Sequence, residues 1–178
     1  MIFTYLLVVS CFQRIFSLEF HKPILTLKEQ RHLRDFGRVQ RIKKNEESVS
    51  AFIVVDSSHD AEYIWDTLMN IREYVTVFKY IKDVKIYNEN NDTISAKIKV
   101  KFNLYANVVL DFKKKYKLQV YSDETRDNIF KKFKAQWLID GSRVYLFVDT
   151  ANISVIPTYV INILTKHALI KATNWLMK

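Results

Sequence analysis

An apolar strand that stops at Asp56 and turns straight into an amphipathic helix constrains this chain more than any other feature. Residues 50–56 read Ser-Ala-Phe-Ile-Val-Val-Asp, and Ser57 and Ser58 follow as candidate caps for a helix over 59–69. Ile64, Trp65 and Leu68 then fall on one helical side. A second short helical turn over 71–78 follows, and a new strand begins at about Ile81. A strand, two short helices and a long run of strands is an α+β order.

The chain has 178 residues, which suits one domain with a proper core. Apolar residues make up 49% and charged residues 26%, so disorder is not the main description. Twelve Phe and ten Tyr suit strand-rich cores and ring-walled cavities alike. With two glycines in all, no Gly-rich phosphate loop can be built, and Rossmann and P-loop readings fail. A single cysteine, Cys11, excludes an internal disulfide and any multi-cysteine metal site.

The formal net charge is +9. Many lysines alternate with apolar residues, as in Lys97-Ile98-Lys99-Val100-Lys101-Phe102, which is the pattern of a solvated strand face. Charge bears on partners rather than on fold. Lys113-Lys114-Lys115 and Lys131-Lys132 are basic clusters beside expected turns; they read as solvated turns that could also touch anionic headgroups. No recognition helix or ordered basic-aromatic motif is present, so no nucleic-acid partner is expected.

Met1–Ser17 is apolar over 2–12 and broken by Gln13-Arg14, too short for a membrane span. It reads as an export signal with Ser17 before the cut, although Met1–Thr4 lacks the usual basic residues. The expected location is periplasmic or secreted, or cytoplasmic if this segment is no signal. Val8-Val9-Ser10-Cys11 also resembles a bacterial lipoprotein box, which would place an acyl anchor on Cys11; the alternative is an ordinary apolar residue.

Thr26-Leu27-Lys28-Glu29 fits a capping box, with Gly37 placed to end a helix over 27–36. Residues 38–44 have weak strand character, and 48–56 strong strand character. Further strands are expected over 82–87, 94–103, 106–112, 116–122, 128–139 and 143–151, the last two joined at Asp140-Gly141. Pro157 stands where a helix over 158–177 would begin. Ile161, Leu164, Ala168, Ala172 and Trp175 form one apolar stripe on it. Tyr159, Ile163, Ile170 and Met177 form a second, which suits a lid, a partner, a lipid surface or cover by the N-terminal helix.

This order of elements, with Trp65 in the first helix after the strand, resembles the START-like superfamily. That group is also called SRPBCC or helix-grip, and the similarity is nearest to its coenzyme-Q-binding and polyketide-cyclase-type members. The match covers about Gly37–Met177. It is carried by Ala51–Asp56, Ile64-Trp65-Asp66-Thr67-Leu68, Tyr74, Phe78 and Val84, by Phe133–Leu138 and by Ile156-Pro157 with Val160 and Leu164. Ala135 stands where many members have Gly, and residues 19–36 precede the domain as an extra element.

The resemblance implies a curved antiparallel sheet of six to seven strands gripping the C-terminal helix, with a cavity between them. It divides the chain into a signal (1–17), a helical extension (18–37) and the domain (38–178). It implies a non-catalytic binder or carrier of a lipid or isoprenoid quinone, with transient membrane contact. A cyclase- or hydrolase-type enzyme using the same cavity, or a protein-interaction module, are the alternatives. The candidate wall is Tyr116, Leu118 and Val120 on one strand and Phe133, Ala135 and Trp137 on another, with Asp149 on a third and Leu164 and His167 from the helix. The parity of 143–151 is ambiguous, since Val144, Leu146 and Val148 alternate with Tyr145, Phe147 and Asp149. For each of these, plain core packing is the competing reading.

His21, His32, His59 and His167 show no metal-ligand spacing, and no nucleophile elbow or carboxylate pair occurs. Asp149 would need a partner if it pointed inward, and Arg143, His167 or a ligand hydroxyl could serve. No catalytic residue, cofactor or metal is expected.

Overall fold

A computed structural model describes residues 22–44, 48–100, 104–128, 132–151 and 158–177; the side chains of 44, 151 and 158–165 lie outside that description. The expectations for Met1–Ser17, Cys11, Asn103 and Pro157 therefore fall outside it.

Helix α1 (Leu27–Phe36) is bounded as its sequence predicts. The Thr26 hydroxyl accepts from the Glu29 amide, the Glu29 carboxylate accepts from the Thr26 amide, and Gly37 ends the helix at φ 68°. Strands β1 (Arg38–Lys44) and β2 (Ser48–Asp56) follow, then α2 (Ala61–Met69), a 3-10 turn (Ile71–Glu73) and the single-turn α3 (Tyr74–Val77). Six strands complete the sheet: β3 (Ile81–Glu89), β4 (Thr93–Val100), β5 (Tyr105–Lys114), β6 (Lys117–Ser122), β7 (Lys132–Asp140) and β8 (Arg143–Ala151). Helix α4 (Thr158–Thr173) and a 3-10 turn (Asn174–Met177) end the fold.

All eight strands form one antiparallel sheet in the order β1-β2-β8-β7-β6-β5-β4-β3. The count exceeds the expected six to seven because residues 38–44 pair along their whole length with β2, from Arg38–Val55 to Lys44–Val49. A weak intrinsic preference is overridden by a complete ladder.

The sheet has two packed faces. Its inner face carries Ala51, Ile53, Val55, Ile94, Ala96, Val108, Leu110, Leu118, Trp137 and Leu146 against α2, α3 and the end of α4. Trp65 is buried there with Ile64 and Leu68. Its outer face carries Val39, Phe52, Val54, Leu138 and Tyr145, covered by Leu33 of α1. Arg41 clamps α1 down, its Nε and Nη2 donating to the two Glu29 carboxylate oxygens at 3.0 and 2.6 Å.

The cap of α2 is not the expected one. Asp60 accepts from the Tyr63 amide and caps the helix. Ser57 and Ser58 serve the other end of the chain instead. The Ser57 hydroxyl and the Ser58 amide donate to the Leu176 carbonyl at 2.8 and 3.0 Å. A carbonyl left over by the terminal helical turn is thereby satisfied by the start of the helix pair.

Candidate functional site

The candidate site is the inner face of β4–β8, where sheet pairing lays the side chains in rows. One row runs Ala51, Val148, Ala135, Val120, Leu110 and Ile94 across six strands. The next holds Ile53, Leu146, Trp137 and Leu118. Leu118 and Trp137 are buried, whereas Val120, Phe133 and Val148 are only half-buried. The wall is thus packed solid near α2 and looser toward the end of the sheet where β8 leaves for α4.

On β4–β8, strand alternation directs only two described polar side chains inward, Ser122 and Thr150. Both are buried and stand on either side of Phe133. The Ser122 hydroxyl accepts from the Phe133 amide at 3.3 Å, and the Thr150 hydroxyl donates to the Val49 carbonyl at 3.3 Å. The sequence signal for them was a hydroxyl residue at inward parity near a strand end. Gln40, inward on β1 opposite Ile53, has a buried Oε1 with no hydrogen-bond partner.

Of the residues singled out in the sequence, Leu118, Val120, Phe133 and Trp137 share this face with Ala135. Three placements differ. Tyr116 is not a strand residue: it occupies the β5–β6 turn at φ 65°, with its ring edge-on to Trp65, centroids 6.0 Å apart. Its hydroxyl donates to Glu62, which also pairs with Lys115 at 2.7 Å. Those two contacts, Lys115 first, hold the Glu62 carboxyl below its usual range.

Asp149 points to the outer face, is exposed, and accepts from the Ser50 hydroxyl at 3.0 Å. The alternation that puts Val148 and Thr150 inside puts Asp149 outside. His167 is exposed on α4 and does not meet Asp149. Arg143 is engaged with Asp56 through two hydrogen bonds at 2.6 and 2.9 Å. Leu164 lies in α4, with its side chain outside the described residues.

The end of α4 buries Leu169, Ala172 and Thr173, and the 3-10 turn after it buries Trp175 and Leu176; Ala172 and Trp175 belong to the expected stripe, whereas Ala168 is exposed. Of the second stripe, Ile170 is half-buried and Met177 exposed. Among the described residues no group of His, Cys, Asp and Glu is arranged to hold a metal. An outer groove of about 770 Å³ beside α1, lined by Ile24, Leu33, Arg34 and Tyr145, also contains the Asp56–Arg143 pair. That pair satisfies itself and makes no demand for a ligand.

The same architecture occurs in solved structures of known proteins. A STAR-related lipid transfer protein from Xanthomonas axonopodis superposes with a TM-score of 0.65 at 11% identity, covering 79% of this chain and 92% of that one. The Zhui aromatase/cyclase of a Streptomyces species gives 0.57 at 12% identity, covering 78% and 90%. Human StAR-related lipid transfer protein 5 gives 0.53 at 8% identity, covering 84% and 89%. The fold is the helix grip that these proteins share. No family model matches the sequence, and no curated protein does. At such identities the START-like likeness concerns the fold, and lipid-transfer and cyclase proteins share it.

Proposed function

We propose that this START-like chain binds or carries a hydrophobic small molecule, of the lipid or isoprenoid-quinone class, against the inner face of its sheet and without catalysis. One observation carries the reading: the described inner wall of β4–β8 is apolar apart from Ser122 and Thr150, and both ionisable candidates, Asp149 and His167, are exposed. Acid-base chemistry requires a titratable group within reach of the substrate. An apolar wall with a few hydroxyls suits binding instead. Lipid-transfer proteins of the same fold support the reading.

Affinity then comes from buried apolar area, at about 25 cal/mol per Å² less the cost of immobilising the ligand. The half-buried residues Val120, Phe133 and Val148 are where a ligand gains most from displacing water. Ser122 and Thr150 are placed to meet a polar end group.

Native mass spectrometry of the purified protein, followed by solvent extraction, tests this. A co-purified lipid or quinone, lost on Trp137→Ala or on filling the wall with Ala135→Phe while circular dichroism is retained, is the expected result. A protein that carries nothing and takes up neither lipid nor quinone under challenge refutes it.

A further inference from the structure

The outer face of the sheet is covered by α1 over β1, β2, β7 and β8, but no described helix covers it over β3–β5. On that bare half, Lys85 lies directly opposite Lys97, and Lys97 and Lys99 flank the ring of Tyr105. We infer that this face is a docking surface for an anionic lipid bilayer, with Lys85, Lys97 and Lys99 meeting the headgroups and Tyr105 entering the interface beside them.

Charge complementarity carries the assignment. Like charges directly opposite on neighbouring strands destabilise a sheet, and a surface of negative headgroups relieves that repulsion. None of the three lysines forms an ion pair with another described residue, although Asp83 lies opposite Lys99. The lysine run that stands out in the sequence behaves otherwise. Lys113 is drawn to Asp111 at 3.6 Å and Lys115 to Glu62 at 2.7 Å.

Tyr105 is among the exposed large apolar residues, at 39%. A phenol ring beside lysines suits the headgroup level of a bilayer. Single-stranded nucleic acid is the weaker fit, because stacking needs an open ring. The Lys97 ammonium lies 4.4 Å from the centroid of Tyr105, and the Arg126 guanidinium 3.9 Å from that of Tyr87.

The test is vesicle flotation of the full chain, independent of whether the inner wall binds a ligand. Vesicles of phosphatidylcholine with about 30% phosphatidylserine should bind, and pure phosphatidylcholine should not; raising salt from about 0.1 M to about 0.5 M should release the protein. Each lysine is worth about fivefold, so Lys85→Gln, Lys97→Gln and Lys99→Gln together should weaken binding on the order of a hundredfold. A control with the same charge loss elsewhere, Lys28→Gln, Arg31→Gln and Lys43→Gln, should stay within about threefold of the parent. Equal losses in the two triple variants would mean undirected charge attraction and would overturn the assignment. So would indifference to phosphatidylserine, or tighter binding of a labelled single-stranded oligonucleotide that the first triple variant abolishes. Thermal melting should show both variants folded. Vesicle binding without a carried ligand would sink the cavity reading alone, and a carried ligand without vesicle binding would sink this one alone.

Discussion

Phe78, at the end of α3, meets Trp175 edge-on, with ring centroids 6.1 Å apart and planes at 87°. The Trp175 indole N–H donates to the Ala172 carbonyl at 2.8 Å, so the ring is both buried and satisfied. Together with the Ser57 and Ser58 bonds to Leu176, this contact fixes the terminal turn of the chain to both ends of the α2–α3 pair. Trp175→Ala should therefore cost about 3–5 kcal/mol, as large-to-small changes in a buried ring site do. Phe78→Leu keeps most of the volume and should cost about 1–2 kcal/mol. Urea unfolding of the two variants checks the order; equal costs would show that the ring pair is incidental.

Asp149 gives a sharp discriminator between binding and acid-base chemistry. It is exposed on the outer face and bonded to Ser50. Asp149→Asn should change stability by no more than about 0.5 kcal/mol, as exposed substitutions do. It should leave the amount of extracted ligand unchanged. A loss of bound ligand or of any turnover in this variant would place the carboxylate in the site and refute the orientation.

Asp149 and Tyr116 mark where the sequence stops being informative. Thr26, Glu29 and Gly37 announce α1, and Asp140-Gly141 announces the β7–β8 turn, because caps and turns are local chemistry. The facing of β8 is not legible in the same way. Val144 and Leu146 pack inward while Tyr145 packs outward under α1, so both parities read as apolar. Asp149 was misplaced for that reason. Tyr116 reads as a strand residue for another reason: a tyrosine at positive φ leaves no signal in its own neighbourhood, since its ring is held by Trp65 and its hydroxyl by Glu62, both far off in the chain. The inward parity of Ser122 follows from its strand, but its bond to the Phe133 amide becomes visible only once strand pairing is known.

Acid should loosen α1 before the rest. The Arg41 guanidinium, then the Thr26 amide, hold the Glu29 carboxyl down at about 2. On unfolding it returns to an ordinary value, so the unfolded chain takes the proton first as pH falls. The stabilisation is complete above about pH 5 and drains as pH drops toward about 2. Glu29→Gln should cost about 1 kcal/mol at neutral pH, after allowing for solvent exposure, and flatten that acid slope. Stability measured against pH for the variant and its parent decides it; parallel curves would show that Glu29 contributes nothing.

Alkali acts through buried phenols. Burial pushes Tyr80 up to about 12 and Tyr74 higher still, and burial with the Asp123 hydrogen bond pushes Tyr87 up to about 12. Unfolded tyrosines ionise near 10. The folded chain therefore keeps protons that the unfolded chain releases, and stability is lost as pH rises from about 10 through about 12. Ultraviolet titration should show three of the phenols ionising late or only on unfolding. Tyr87→Phe should remove one late phenol and cost about 1 kcal/mol through the lost bond to Asp123. Ordinary ionisation of Tyr74 and Tyr80 in the folded protein would contradict their burial.

Tyr116 is the only non-glycine residue at positive φ among those described, and its backbone costs about 1–2 kcal/mol relative to an extended or helical one. Three contacts offset that cost: the Trp65 edge, the Glu62 hydrogen bond, and the Ile139 amide donating to the Tyr116 carbonyl at 3.0 Å. Tyr116→Gly relieves the backbone but loses the first two, so the net change should be within about 1 kcal/mol. Tyr116→Val keeps the strain, adds a branched Cβ and loses the same two contacts, and should cost about 2–3 kcal/mol. Tyr116→Phe separates the hydroxyl from the ring and should cost less than the valine change. If glycine proves as costly as valine in urea unfolding, the conformation of the turn is not what the side chain is sustaining.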